Sequence, residues 1–138
     1  MHWSIYALLS AVFAAMVAIF GKIGLKEVDS TLATTIRSIV MAIFLVGVAF
    51  TLGKFSFLNT FNSKAILFII LSGVAGALSW LFYFFAIKSG TVSGVVAIDR
   101  TSVIFAFILA ILFLSETFTW FKALGAILIA VGAVLLAF

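Results

Sequence analysis

Cysteine and proline are absent from this 138-residue chain, histidine occurs once, and charge is scarce: eight Lys or Arg and four Asp or Glu, 9% of the residues. Without cysteine there is no disulfide framework, no CxxC redox pair and no thiolate metal site. The lone His2 has no converging partner near it in sequence, so no metal and no acid–base histidine is expected. Without proline, a helix break has to come from glycine or from pulled-apart packing. The net charge of +4 does not point to nucleic acid, because the basic residues are scattered singly and mostly close apolar runs. No catalytic triad, zinc-ligand set or glycine-rich phosphate loop is present, and Gly90-x-x-x-Gly94 straddles a turn. The expectation is a protein that is not an enzyme and needs no cofactor.

What is present is hydrocarbon. Hydrophobic residues make up 67% of the chain and the mean hydropathy is +1.47, where a soluble domain would be roughly half apolar and a quarter charged. A bilayer core of about 30 Å takes roughly 20 apolar residues per helix, so the chain has room for five spans and little else. The runs are long and uniform, unlike the alternating ten-residue strands of a barrel, so the fold class is an all-α membrane bundle of five transmembrane helices in one domain, residues 1–138. The spans fall near residues 3–21, 31–52, 65–87, 92–114 and 120–138. Met1-His2-Trp3 lacks the basic start of a cleaved signal peptide, so the first segment is expected to stay in the mature protein.

Small residues recur at helical spacing in the first segment (Ser4, Ala7, Ala11, Ala14, Ala18) and the last (Ala126, Ala130, Ala133, Ala137), as helix–helix contact faces in lipid do. Asp29 or Ser30 is placed to cap the second helix. The connector at 53–63 carries Phe55, Phe57, Leu58 and Phe61 beside Lys54, Asn59 and Asn62, which suits the interface. Glu116 lies in the SETFT turn, where a cap or a contact to Lys122 is expected. Trp3 and Trp120 suit the interfacial belt, whereas Trp80 sits mid-segment.

Three ionisable residues lie inside the spans: Arg37, Asp99 and Arg100. Each costs roughly 2.5–3.5 kcal/mol on insertion scales unless it faces protein or water. Segments two and four start on the same face, and Arg37 and Asp99 lie about 8–10 Å from it, level with each other. They can form a buried pair, or Asp99 can exchange a proton while the arginines hold a carboxylate or phosphate. In the alternative, Arg37 and Arg100 snorkel to the interface and Asp99 neutralises one of them. Adjacent residues point some 100° apart, so Asp99 and Arg100 do not both face one cavity well. Ser72, Ser79, Trp80 and Tyr83 of segment three, with Thr34, Ser38 and Ser102, are candidates for a cavity wall; the competing reading is that each hydroxyl bonds neighbouring backbone.

Lys54, Lys64 and Lys122 flank the spans on the amino-terminal side and Lys22, Lys26 and Lys88 on the other, which leaves orientation undecided unless Arg37 and Arg100 snorkel outward. A chain without orientation bias can insert both ways, and two opposed copies form an antiparallel homodimer with inverted-repeat symmetry, five helices from each.

The chain resembles the EamA-like branch of the drug/metabolite transporter superfamily. The resemblance is carried by Lys22–Leu25 as a K-x-G-L connector, by Arg37 in helix two, by Tyr83–Gly90 at the end of helix three, by Ile98–Arg100 as an I-D-K/R segment, and by the L-x-E turn at Leu114–Thr119. It implies a secondary carrier, often an exporter of amino acids, metabolites or drugs, with short members dimerising. Two departures stand out: no proline early in helix four, and no acid in segment one like that of small cationic-drug carriers. The expectation is a multi-pass protein of the cell inner (plasma) membrane, contacting lipid and a small-molecule substrate, that exports a polar or anionic metabolite such as an amino or organic acid. Export of cationic drugs and flipping of a lipid-linked group are the rival carrier readings; a non-transporting subunit that packs on a partner is the rival of another class.

Overall fold

The structure is a computed structural model that describes residues 2–60 and 62–138, with backbone only for 58–60. Phe61, placed by its sequence in the interfacial connector, and the side chains of Leu58 and Asn59 lie outside the described residues. Among the described residues six α-helices follow in order: α1 (Trp3–Gly24), α2 (Ser30–Thr51), α3 (Ser63–Ser89), α4 (Val92–Asp99), α5 (Ser102–Leu114) and α6 (Trp120–Ala137), with a 3₁₀ segment at Lys54–Thr60 after α2. No strand occurs among the described residues. Among the described residues five stretches are long and apolar enough to cross a membrane, the fourth being α4 and α5 together. Side chains such as Phe113 and Phe121 are almost wholly exposed. In water that would be ruinous; in lipid it needs no partner, because acyl chains are as apolar as the side chains they meet.

The chain divides into two compact units, one containing the residues up to Ile23 with Ser89–Phe138, the other Gly24–Lys88. In the first unit α4 packs closely on α6. The alanine stripe of α6 supplies the contact: Ala126 and Ala133 are buried, and Ala97 of α4 is buried with them. Gly94 marks the closest approach, since a Cβ there would come within 2.8 Å of Thr91 Oγ1 and 3.4 Å of Ala137 Cα. Of the small-residue stripe of α1 only Ala18 is buried, while Ala7 and Ala11 remain exposed. Lys22 Nζ donates to Gly90 O at 2.9 Å, tying the end of α1 to the turn before α4. Ser115, at φ 55°, ends α5 in the left-handed region, with the Glu116 amide reaching back to Ala110 O at 3.2 Å. Glu116 then pairs with Lys122 at 3.3 Å on the exposed surface.

Span four differs from the single helix its sequence suggests. It breaks at Arg100–Thr101, where neither glycine nor proline is present. Both residues hold 3₁₀-like dihedrals, φ/ψ −66/−15° and −65/−14°. The amides of Thr101, Val103 and Ile104 each bond three residues back instead of four. Thr101 Oγ1 adds a 2.7 Å bond to the Ile98 carbonyl, a side-chain competitor of a kind that bends helices.

In the second unit Asp29 is the cap of α2, accepting from Thr31 N at 2.9 Å and Leu32 N at 3.1 Å. Lys88 Nζ donates to Val28 O at 2.9 Å, so the end of α3 is tied to the turn before α2.

Two outcomes follow from these contacts. Gly94→Val drives branched carbons into Thr91 and Ala137 and lowers stability by about 1–3 kcal/mol, readable as a lower unfolding midpoint in detergent micelles. The Leu32 amide, with the amide and hydroxyl of Thr31 and the charge of Lys88, outweighs desolvation and holds the Asp29 carboxyl below its ordinary 3.8. The cap therefore contributes fully above that pH and is lost as pH falls below it. Thermal melts between pH 3 and pH 7 should show an acid-side loss in the native chain that Asp29→Asn, a cap without a titrating proton, lacks.

Candidate functional site

Helical spacing on α2 puts Ser30, Thr34 and Arg37 on one face, and on α3 it puts Trp80, Phe84 and Ile87 on one face. The two faces meet. Ser30, Thr34, Phe84 and Ile87 are buried, and Ser30 Oγ donates to Phe84 O at 3.5 Å. One turn further along, the Arg37 guanidinium lies over the Trp80 ring, Cζ 3.6 Å from the centroid, and 5.7 Å from that of Phe84. Tyr83 meets Trp80 edge-on at 5.4 Å and 74°, and Phe84 meets it at 6.1 Å and 63°. An arginine over an aromatic face is attracted by the ring quadrupole, by about 2 kcal/mol or more where water is excluded. The half-buried Arg37 thus rests against aromatic faces of α3.

Stacking engages the flat face of the guanidinium and leaves its N–H edge, which matches a carboxylate or phosphate bidentately. No salt bridge to Arg37 occurs among the described residues. The hydroxyls of Thr34 and Ser38 donate to the carbonyls four residues back, Ser30 O at 2.7 Å and Thr34 O at 2.8 Å. Their protons are spent on backbone, leaving only lone pairs for a ligand. Ser72 and Ser79 are exposed on α3 and take no part in the Arg37–Trp80 contact. Phe84 is the member that sequence reasoning missed; its place four residues after Trp80 was the available signal.

The other candidates belong to the first unit. Asp99 is the last residue of α4 and half-buried; Arg100 opens the 3₁₀ turn and is exposed. They form no salt bridge with each other among the described residues. Arg100 and Ser102 line an open cleft of about 450 Å³ with Val103, Ala106 and Ile129 of α6. The structure therefore divides the sequence candidates: Arg37, Trp80, Tyr83 and Thr34 converge in one unit, Arg100 and Ser102 in the other.

The EamA-like transporter family matches the whole chain, residues 1–138. A protein of Sinorhizobium sp named "Uncharacterized transporter in cobO 3'region" is 38% identical over 135 residues, which are 98% of this chain and 96% of that protein. No solved structure matches. The chain belongs to the EamA-like transporter family, and so to a class of multi-pass membrane transporters.

The aromatic support of Arg37 has a measurable size. Trp80→Leu should lower stability by about 1–2 kcal/mol and Trp80→Phe by less, because phenylalanine keeps a π face while leucine removes it. Unfolding of both variants in mixed micelles gives the comparison; equal losses would deny the stacking its energy.

Proposed function

We propose that this chain is a secondary transporter, working as an exporter in the cell inner (plasma) membrane, for a small polar or anionic metabolite such as an amino or organic acid. The observation that carries the reading is the Arg37 guanidinium laid over Trp80 with no salt bridge to it among the described residues. A permanent cation with two aligned donors holds a carboxylate or phosphate without being neutralised itself. Tyr83 and Phe84 fix the ring that fixes the arginine. Asp99 is the proton-coupling or pairing partner in this proposal, being the one acid within the spans. A lipophilic cation is the poorer cargo, since the aromatic cluster that would receive it already holds a cation. The balanced lysines on the two membrane faces support an antiparallel homodimer, in which the two copies form inverted repeats and rock about a midplane site.

The test is uptake by liposomes holding the purified protein, offered labelled amino and organic acids with and without a proton gradient. Arg37→Gln should reduce uptake by roughly 10–100-fold, the worth of a charge-assisted hydrogen bond. Asp99→Asn should abolish the gradient dependence. A preference for lipophilic cations, or uptake unaffected by Arg37→Gln, would refute the assignment.

A further inference from the structure

The break in span four comes without glycine or proline, so something else has to stabilise it. The Ile98 carbonyl receives both the Thr101 amide at 2.9 Å and the Thr101 hydroxyl at 2.7 Å. Two donors from one residue hold that carbonyl three positions back, and the bonds Val103 N to Arg100 O and Ile104 N to Thr101 O carry the tightened register onward. Side chains at i and i+3 eclipse in a 3₁₀ turn, whereas in an α-helix they lie some 60° apart. Arg100 and Val103, three residues apart across the turn, line the cleft together with Ser102, Ala106 of α5 and Ile129 of α6. Arg100 stands about 12 Å into the span from Val92, too deep for a charge to face lipid unrelieved. Its guanidinium forms no salt bridge among the described residues, and it lines the cleft beside the Ser102 hydroxyl.

We propose that Thr101 is a positioning residue whose hydroxyl, by holding the Ile98 carbonyl, locks the 3₁₀ turn that presents Arg100 and Ser102 to a water-filled cleft able to hold a carboxylate or phosphate. The cleft is built within the first unit, from the residues at the α4–α5 turn, α5 and α6. That its occupant is the transported metabolite rests on the function proposed above; the turn and the cleft do not. Val103, Ala106 and Ile129 give the cleft an apolar floor, so it suits an anion with a small hydrocarbon body better than a bare inorganic ion.

Because the chain has no cysteine, Ser102→Cys provides a single thiol inside the cleft. The probes are a sulfonate-bearing and an ammonium-bearing methanethiosulfonate, applied to the protein in liposomes. The sulfonate reagent should react about tenfold faster than the ammonium one, and Arg100→Gln should remove the preference. Adding Thr101→Val or Thr101→Ala should slow the sulfonate reaction about tenfold, and Thr101→Ser, which restores the hydroxyl, should bring it back. Monodisperse elution and unchanged helical circular dichroism show that each variant has folded. Equal rates for the two reagents would overturn the anion cleft, and a rate indifferent to Thr101 would overturn its positioning role. The labelling needs no transported substrate, so it reads out whether or not the transport assay succeeds.

Discussion

Hydrocarbon offers no hydrogen bonds, and that governs every polar group in this chain. A backbone inside the bilayer must satisfy itself, which leaves helices, and any side-chain donor must find an acceptor within reach. The hydroxyls of Thr34, Thr35 and Ser38 comply by bonding the carbonyl four residues back, and Thr101 by bonding the one three back. Lysines comply at the ends of helices: Lys22 on Gly90 O and Lys88 on Val28 O each close a turn. Charges within the spans have fewer choices, and each is accommodated by the residues of its own unit.

Arg37 is accommodated by aromatic faces. A tryptophan, a tyrosine and a phenylalanine from about one turn of α3 supply aromatic faces without supplying a counter-charge, so the guanidinium stays cationic. A carboxylate in the same place would have satisfied the arginine and cancelled its capacity to bind. Arg100 is accommodated differently, at a helix break that opens a cleft beside it. One unit therefore holds its cation against a surface and the other beside a space.

Periodicity made most of the fold legible. Five apolar runs gave five spans, Asp29 was in reach of the free amides of α2, and the α6 alanines formed the packed stripe. Ends moved by a turn or less, as with α1 running on to Gly24. The break in span four was not legible, because no residue there belongs to the usual breakers; it depends on a threonine choosing the carbonyl three residues back, a choice that hydropathy does not encode. For Thr34 and Ser38 the sequence left two readings open, cavity wall or neighbouring backbone, and their protons go to backbone. Arg37 and Trp80 were identified singly by type, one as a buried charge and one as a misplaced interfacial ring, and their contact required the faces of two helices to be brought together.

The stacked guanidinium is the claim on which the account turns. Its most direct test is the NMR spectrum of the Arg37 side chain in bilayers or micelles, native against Trp80→Leu. Lying over the indole face, the Arg37 side-chain protons should resonate well upfield of the other arginine's and return to ordinary positions in the variant. Ordinary positions in the native chain would mean that Arg37 does not rest on Trp80, and the proposed anion site would lose its foundation.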